Sequence, residues 1–419
     1  MADRHVDALI VGGGIAGAAC AEALHAGGFD GHVLLAGREP DPPYERPPAS
    51  KGYLAGTMDR SACLLHDEAW YARQGLELAT RTSVMKLDTA AQQATLSTKE
   101  VVGYGVALLA TGANVRRLRV EGAQLEGIHY LRALGNADAI RAHAEQAERV
   151  VLVGGSYIAC EVAATLTTLG RRCTMVMLED TPLSAQFGVA AGGFFADLLE
   201  RKGIELVTGD GLERFEGDTQ GTSSPGAGDR VRRVVTASGR AIDADMVVMG
   251  TGAVPDVMLA RSAGLELGES GGVACAADLA TSAPGVWAAG DMCEYDSELH
   301  ARRVRIEHFE VAAAQGRAVA AAMLGERRPF REVPYFWTDL ADWATGEWVG
   351  LSEAPEREVV RGSLGDGEFS VLHIAGGRLV GALSVGRGDD LAHARRLIAA
   401  GTDVTGRDEE LARGDLDAL

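Results

Sequence analysis

The chain has 419 residues, 47% of them hydrophobic, and 59 acidic against 40 basic residues give a formal net charge of -19. This length predicts two to three domains. The acidic balance argues against nucleic acid and anionic membrane surfaces as partners, because both repel a negatively charged protein. No apolar run reaches the roughly 18 residues of a membrane span, and the N-terminus lacks the features of a signal peptide. We therefore expect a cytoplasmic protein.

The first predicted element is a buried strand that ends in a glycine turn, residues 6–17. Gly12, Gly14 and Gly17 have the GxGxxG spacing, and residues 18–26 have the composition of a helix. Such glycines allow a tight turn, close approach of a pyrophosphate and close helix–strand packing. Glu39 follows the next predicted strand, residues 32–36, where a carboxylate can bind a ribose hydroxyl. The pattern predicts a dinucleotide-binding module.

The segment between this turn and the middle of the chain contains shorter elements. Residues 42–51, PPYERPPASK, are predicted to be a proline-stiffened loop and not a helix. A helix is predicted over residues 64–75, and short strands over residues 84–87 and 94–96. A buried strand with a terminal turn is predicted over residues 106–112.

The glycine-turn pattern then repeats. Residues 150–153 predict a strand, residues 160–169 a helix and residues 174–178 a second strand followed by Glu179. In the turn between them, Ser156 and Ala159 replace the second and third glycines, and alanine is an accepted third residue. This internal duplication predicts an α/β fold with two Rossmann-like dinucleotide-binding domains.

The remaining sequence predicts a third, α+β unit after residue 323. Its predicted strands cover residues 369–374 and 379–385, a helix follows near residues 390–400, and residues 405–419 are predicted to be frayed or a surface helix. Before this unit, strands with glycine turns are predicted at residues 247–252 and 285–291. The polar run within residues 213–230 is predicted to be a long, mobile hairpin tip.

The six cysteines form no CxxC or CxxxxC pair. Their spacing therefore predicts neither a redox disulfide nor a metal site, and it fits a reducing compartment.

Eight motifs resemble those of the flavoprotein pyridine-nucleotide reductases that serve ferredoxins, and they occur in the same order as in that family. The chain is also similar to apoptosis-inducing factor. The motifs are VGGGIAG, YERPPASK, LLATGA, VGGSYIACEVA, MGTGAVP, VWAAGD, RIEHFE and PYFWTDL. The resemblance implies a glutathione-reductase-like fold. It places an FAD-binding domain at residues 1–115 and 247–325, an NAD-binding domain at residues 116–246 and a C-terminal capping domain at residues 326–419.

The resemblance also assigns residues around the flavin ring. It places Lys51 beside flavin N5, paired with Glu161, and Tyr157 as an aromatic gate over the ring. Trp337 would approach the other side of the flavin. Each is also compatible with an ordinary role: surface charge for Lys51 and Glu161, and packing for the two aromatic residues.

Further residues are assigned to the cofactors in the same way. Asp291 would hold the flavin's ribityl–pyrophosphate region or merely cap a turn, and Glu307 and His308 would lie near the nicotinamide and flavin rings. His308 is either a proton donor or an ordinary hydrogen-bonded histidine. The other cofactor-binding residues implied are Ile15, Ala16, Arg46, Val84, Ala110, Thr111, Gly112, Arg132, Gly154, Ser156, Ile158, Gly252 and Gly290.

These features predict an FAD enzyme that takes hydride from NADH and passes electrons singly to a ferredoxin supplying a monooxygenase or dioxygenase. A two-electron donor and a one-electron acceptor require a carrier such as flavin. NADH is expected over NADPH because Glu179, reinforced by Asp180, repels a 2′-phosphate. The alternative is a redox sensor like apoptosis-inducing factor, which binds NADH and acts through partner binding.

A ferredoxin is usually acidic, as this chain is, so its docking calls for a local basic patch. The arginine-dense residues 302–305 and 327–331 are candidates for that patch. They are equally compatible with solvated arginines on a loop.

Overall fold

The computed structural model describes residues 2–218, 229–351 and 355–419, so most of the hairpin tip predicted within residues 213–230 lies outside the described residues. The chain divides into two compact units, each built from three stretches of sequence. Unit 1 comprises Met1–Glu45, Ser61–Asn114 and Ala253–Pro334. Unit 2 comprises Arg46–Arg60, Val115–Gly252 and Tyr335–Leu419.

The α-helices of the described chain, numbered α1 to α12 in order, are Ile15–Ala26, Gly52–Ala55, Arg60–Cys63, Glu68–Arg73, Leu134–Ala144, Tyr157–Thr168, Ser184–Phe187, Val189–Arg201, Met258–Ser262, Phe309–Met323, Gly388–Ala400 and Asp408–Arg413. Short 3-10 helices occur at Pro47–Ser50 and Leu416–Ala418. None of the helices in the described ranges is long and apolar enough to cross a membrane.

The strands of the described chain, numbered β1 to β25 in order, are Arg4–Val11, Val33–Ala36, Leu76–Ala79, Val84–Asp88, Gln93–Leu96, Val101–Leu109, Ala113–Val115, Ile128–Tyr130, Arg149–Val153, Arg172–Val176, Glu205–Val207, Leu212–Gly217, Val231–Thr236, Ala241–Asp243, Met246–Met249, Ala253–Pro255, Val273–Cys275, Val286–Ala288, Cys293–Ser297, Arg302–Arg305, Tyr335–Leu340, Ala344–Gly350, Arg357–Ser363, Glu368–Ala375 and Arg378–Val385.

Unit 1 is built on a sheet with the order β3-β2-β1-β6-β5-β4, in which β18 also pairs with β6. Strands β1, β2, β3, β6 and β18 are parallel to one another, whereas β5 pairs antiparallel with both β6 and β4. The second half of β1, residues 8–11, and the whole of β2 are apolar and buried, as expected for strands covered on both faces. Helix α1 packs so closely on α10 that a Cβ on Gly316 would lie 2.1 Å from the carbonyl oxygen of Ala16.

Unit 2 contains a second parallel sheet, a small antiparallel sheet with the order β12-β13-β14 and a five-stranded antiparallel sheet. The parallel sheet has the order β11-β10-β9-β15-β8, with α6 connecting β9 to β10. This β9–α6–β10 unit repeats the β1–α1–β2 unit, as the sequence predicted. The five-stranded antiparallel sheet has the order β21-β22-β25-β24-β23, and α11 follows β25. The predicted α/β fold with two Rossmann-like modules and an additional α+β part is therefore confirmed.

Two local predictions were wrong in detail. One 3-10 turn forms at Pro47–Ser50 in the proline-rich loop, because proline is tolerated at the first positions of a helix. The helix predicted from residue 64 begins only at Glu68, where Asp67 caps it by accepting a hydrogen bond from the Trp70 N–H over 2.6 Å.

The C-terminal tail forms helix α12, the second of the two predicted alternatives, and it is anchored and not frayed. Leu411 and Leu416 are buried, and Arg361 donates hydrogen bonds to the carbonyl oxygens of Leu411 and Gly414. The charged composition of the tail concealed these two apolar anchors.

Candidate functional site

The first glycine turn of unit 1 forms an open cradle at the start of α1. A Cβ on Gly12, where φ is 126°, would lie 2.1 Å from the carbonyl oxygen of Ala110, so a side chain is sterically excluded there. A Cβ on Gly14 would meet nothing within 4 Å. No side chain caps the N-terminus of α1, and the first turn of this helix, which begins with Ile15 and Ala16, contains no acidic residue. Its free N–H groups therefore suit an anionic diphosphate.

Three predicted segments meet beside this cradle because their strands are neighbours. Strand β6 pairs with β1 and with β18, so the residues after β6, Ala110–Gly112, lie next to Gly12 and next to those after β18, which include Gly290 and Asp291. Thr111 connects the two segments directly, since its N–H and Oγ1 donate to Sδ of Met292 over 3.2 and 2.9 Å. Diphosphate-binding modules use this edge of the sheet.

Glu39 is positioned by the proline-rich loop. The hydroxyl of Tyr44 donates a hydrogen bond to Oε2 of Glu39 over 2.5 Å. Gly37 and Gly13 lie within contact distance of each other, so the segment that leads from β2 to Glu39 passes beside the glycine turn. This geometry suits binding of a ribose hydroxyl by the carboxylate.

Sequence reasoning missed Gln315, which is fully buried on α10. Its Oε1 accepts a hydrogen bond from the N–H of Gly290 over 2.7 Å and so fixes the backbone just before Asp291. A glutamine within an alanine-rich helix gave no signal of this contact, because its partner lies on a different element.

His308 is the N-cap residue of α10, close enough to Asp291 for the two to interact electrostatically. Burial lowers the pKa of His308 to about 4, and the nearby Asp291 opposes this only partly. The imidazole is therefore neutral near pH 7, which disfavours the proton-donor hypothesis. Glu307 is ion-paired with Arg305, which also donates to the carbonyl oxygen of Asp291 over 2.9 Å.

In the second glycine turn, in unit 2, the structure shows how Ser156 is accommodated at the position of the second glycine. A Cβ on Gly154 would lie 2.3 Å from the carbonyl oxygen of Gly250, so this position requires glycine. Oγ of Ser156 donates to that same carbonyl oxygen over 3.0 Å, which turns the hydroxyl away from the N-terminus of α6. Oε2 of Glu179 lies 3.3 Å from the position of a Cβ on Gly155. The predicted ribose-binding carboxylate is thus beside the turn.

Lys51 and Glu161 form a mostly buried ion pair within unit 2, with Nζ and Oε1 2.7 Å apart. The side chain of Glu161 is only 4% exposed. Ser50 donates to its Oε2 over 2.5 Å and Thr338 to its Oε1 over 2.7 Å. Asp339 is a second carboxylate near the lysine, 4.0 Å from Nζ. Glu161 accepts three hydrogen bonds, which offset the cost of burying its charge.

Tyr157 opens α6 and packs in an aromatic cluster. Its ring lies 4.8 Å from that of Phe336 and 5.7 Å from that of Phe187. Ile158, the next residue, is exposed. Trp337 lies on the opposite face of β21 from Phe336, half-buried and stacked on Tyr335 at 6.2 Å. An aromatic residue is thus available on each face of β21.

Three other predicted residues are placed as follows. In unit 2, Arg46 donates to the carbonyl oxygen of Arg132 over 2.8 Å, so the two predicted arginines adjoin. In unit 1, Val84 opens β4, which the sheet order separates from β1 by β5 and β6. The N–H of Thr82, two residues before Val84, nevertheless donates to the carbonyl oxygen of Gly37 over 2.8 Å, so Val84 follows a segment that is bonded to the stretch leading to Glu39.

The arginine-dense runs do not form an uncompensated basic patch. Five of these arginines pair with carboxylates of unit 1: Arg303 with Asp296, Arg305 with Glu307, Arg327 with Asp278, Arg328 with Glu326 and Arg331 with Glu298. Their charges are largely neutralised, so the hypothesis that these runs attract an acidic partner loses its electrostatic basis.

All six cysteines are buried free thiols. Burial raises the pKa of Cys173 to about 11 and raises the pKa of Cys20, Cys160 and Cys293 further. Buried thiols of this kind are poor nucleophiles.

Two cradles for nucleotide diphosphates and a buried lysine–glutamate pair define a two-nucleotide oxidoreductase. Comparison with known proteins identifies the family. The chain belongs to the pyridine nucleotide-disulphide oxidoreductases, whose family model matches residues 6–316, and a reductase C-terminal model matches residues 335–416.

Similar curated proteins are ferredoxin reductases. The 5,5'-dehydrodivanillate O-demethylase ferredoxin reductase subunit of a Sphingobium species is 35% identical, with 96% of this chain and 95% of the relative covered. Rhodocoxin reductase from Rhodococcus erythropolis is 32% identical, with 98% and 92% covered.

Solved structures of ferredoxin reductases are also similar to this chain. The ferredoxin reductase for the CYP199A2 system from Rhodopseudomonas palustris has a TM-score of 0.92 at 30% identity, covering 98% of this chain and 99% of that chain. Putidaredoxin reductase in its covalent complex with putidaredoxin has a TM-score of 0.88 at 31% identity, covering 96% and 94%. These findings confirm the family and its cofactors, FAD and NADH, and they favour a ferredoxin reductase over a redox sensor.

Proposed function

We propose that this chain oxidises NADH and reduces a ferredoxin that supplies an oxygenase. The observation that carries the proposal is the buried Lys51–Glu161 pair in a protein whose six cysteines are all buried. FAD, when bound, supplies the chemistry that accepts a hydride and releases electrons one at a time. The relatives, which are named as ferredoxin reductases, support a ferredoxin as the acceptor.

Each residue has a proposed task. The α1 cradle and Glu39 bind the FAD diphosphate and ribose, and Asp291 orients the adjoining part of the cofactor. The α6 cradle and Glu179 bind NADH. Lys51 would place a positive charge beside the flavin ring, which gains negative charge on reduction, and Glu161 would hold the lysine there. Tyr157 would cover the ring in the absence of nicotinamide, and Trp337 would contact the ring from the other side.

We propose domains at residues 1–115 with 247–325 for FAD, 116–246 for NAD and 326–419 for the capping domain. Separate sheets support three domains: the β1-centred sheet, the β9-centred sheet and the antiparallel β21–β25 sheet. The pairing of β15, Met246–Met249, with β9 argues for a boundary after residue 249. A cytoplasmic location is proposed because six unpaired thiols suit a reducing compartment.

A disulfide substrate is the main catalytic alternative within the family. Cys63, the cysteine next after the flavin-loop sequence, is fully buried. We therefore expect Cys63→Ala to reduce ferredoxin at nearly the wild-type rate.

The test is steady-state NADH oxidation with a panel of ferredoxins, small disulfides and an artificial acceptor. The proposal requires at least one ferredoxin to be reduced faster than every disulfide. Faster reduction of a disulfide, or loss of ferredoxin reduction in Cys63→Ala, would overturn it. Poor turnover with every acceptor and a persistent NADH-reduced state would favour the redox sensor.

A further inference from the structure

Three arginines follow strand β7 in unit 2: Arg116, Arg117 and Arg119. All three are exposed. Unlike the arginines of residues 302–305 and 327–331, they have no carboxylate within ion-pairing distance among the residues that the structure describes. Arg117 lies over the ring of Tyr130 at 4.8 Å. In a chain with a net charge of -19, this is an unusual local excess of positive charge.

Arg116 is the member of this run that is fixed to the third glycine turn, residues 250–255, which follows β15. Its N–H donates to the carbonyl oxygen of Gly252 over 2.9 Å, and its own carbonyl oxygen accepts from Oγ1 of Thr251 over 2.9 Å. A Cβ on Gly252 would have only Nε of Arg116 nearby, at 4.0 Å. The guanidinium group therefore borders the open space in front of Gly252.

That space adjoins the second glycine turn. The carbonyl oxygen of Gly250 contacts the turn at Gly154 and Ser156, and a Cβ on Gly250 would lie 2.7 Å from Cβ of Ala159. Two residues of extended chain span at most about 7 Å. Arg116, bonded to the backbone two residues after Gly250, is thus within side-chain reach of the N-terminus of α6.

The segment that carries Glu179 supplies no cation for the nucleotide. Residues 173–200, which include β10 and the segment after it, contain no lysine or arginine, whereas they contain Glu179 and Asp180. A nicotinamide dinucleotide carries two negative charges on its diphosphate, and the N-terminus of a helix offers only a partial positive charge. Those two carboxylates make the local field unfavourable for any dianionic ligand.

We infer that Arg116 supplies the missing positive charge and binds the diphosphate of NADH. It would do so from a position beside the second and third glycine turns, to neither of which it belongs. This inference rests on the proposed function, which places NADH at α6. An acidic ferredoxin is the competing partner for these arginines. The nucleotide is favoured because the backbone of Arg116, the residue at the cradle, is held by two hydrogen bonds to the third glycine turn.

The experiment measures equilibrium binding of NAD+ and of ADP-ribose, which keeps the diphosphate but lacks nicotinamide, to the FAD-loaded enzyme. Arg116→Gln should weaken both ligands roughly tenfold, as expected for a lost charge-assisted hydrogen bond. Arg119→Gln removes the same charge three residues away and should change binding less than about twofold. Arg116→Lys should recover part of the affinity, and the loss in Arg116→Gln should shrink in high salt.

Unchanged affinities in Arg116→Gln would overturn the inference. Equal losses in Arg116→Gln and Arg119→Gln would also do so. They would indicate that the ligand responds to the summed charge of the arginines and not to a direct contact with Arg116. A raised KM for ferredoxin with unchanged nucleotide binding would assign the arginine to docking instead. If the wild-type enzyme binds neither NAD+ nor ADP-ribose, the proposed function itself fails, which is a different result from failure of the Arg116 assignment.

Discussion

Thr338 on strand β21 donates a hydrogen bond to Oε1 of Glu161 on helix α6 over 2.7 Å, and both residues are buried. The C-terminal antiparallel sheet is therefore bonded to the carboxylate that holds Lys51. Replacing either partner leaves a buried polar or charged group with one fewer hydrogen bond, which costs more than loss of an exposed contact.

Thr338→Val should lower the free energy of unfolding by about 1.5–3 kcal/mol, the usual worth of a hydrogen bond to a charged group. Thr338→Ser keeps the hydroxyl and should lose less. Thr345→Val is a suitable control, because Thr345 is exposed and bonds the partly exposed Asp339 over 2.7 Å. Urea unfolding measures all three variants. Equal effects of Thr338→Val and Thr345→Val would show that Glu161 does not depend on Thr338.

Two glycines of the first turn should respond differently to substitution. Gly14→Val should fold but lose FAD, because its side chain would project into the open cradle. Gly12→Ala should impair folding even without cofactor, because φ is 126° and the Cβ would overlap a backbone oxygen. Flavin absorbance and circular dichroism separate these outcomes. Full retention of FAD by Gly14→Val would refute the location of the cradle.

Acid denaturation of the wild-type enzyme should release free, non-covalently bound FAD.

The preference for NADH should depend on Glu179. Glu179→Gln removes the negative charge beside the second glycine turn, so we expect the ratio of kcat/KM for NADH to that for NADPH to fall about tenfold. Asp180→Asn should have a smaller effect, because Asp180 is exposed to solvent. Comparable kcat/KM values for the two nucleotides in the wild-type enzyme would contradict this assignment.

The free energy of unfolding should fall as the pH is lowered from about 6.5 to about 4. Burial lowers the pKa of His129, His300 and His308 to about 4 in the folded protein. Between these pH values the unfolded chain binds more protons than the folded one, so protonation favours unfolding. The stabilisation is complete above the unfolded pKa. Urea midpoints across this range provide the measurement, and His308→Asn should flatten the slope. A midpoint independent of pH would contradict the burial of these neutral histidines.

Sequence periodicity predicted the fold well because both dinucleotide modules depend on local signals. Strand, glycine turn, helix and second strand lie within one short stretch, as at Gly12 and Gly154. Contacts between distant elements were not predictable in this way. The Thr338–Glu161 and Gln315–Gly290 bonds each connect residues on separate elements, and nothing in the local composition marks them.

Electrostatic predictions from composition were the least successful. The runs at residues 302–305 and 327–331 are rich in arginine, yet their charges are offset by acids distant in sequence, such as Asp278 and Glu298. Arg116 lies in another arginine-rich run, residues 116–119, and composition alone does not distinguish it from the paired arginines of residues 302–305 and 327–331. Local charge counts cannot show which partners folding brings near.

The most direct test is a stoichiometric anaerobic titration of an oxidised ferredoxin with NADH, in the presence of catalytic amounts of the FAD-loaded enzyme. The reaction is followed by the absorbance of the iron–sulfur cluster. Because NADH donates two electrons and a ferredoxin accepts one, each NADH should reduce about two ferredoxin molecules. No reduction beyond that seen without enzyme, for any ferredoxin of the panel, would contradict the assignment as a ferredoxin reductase.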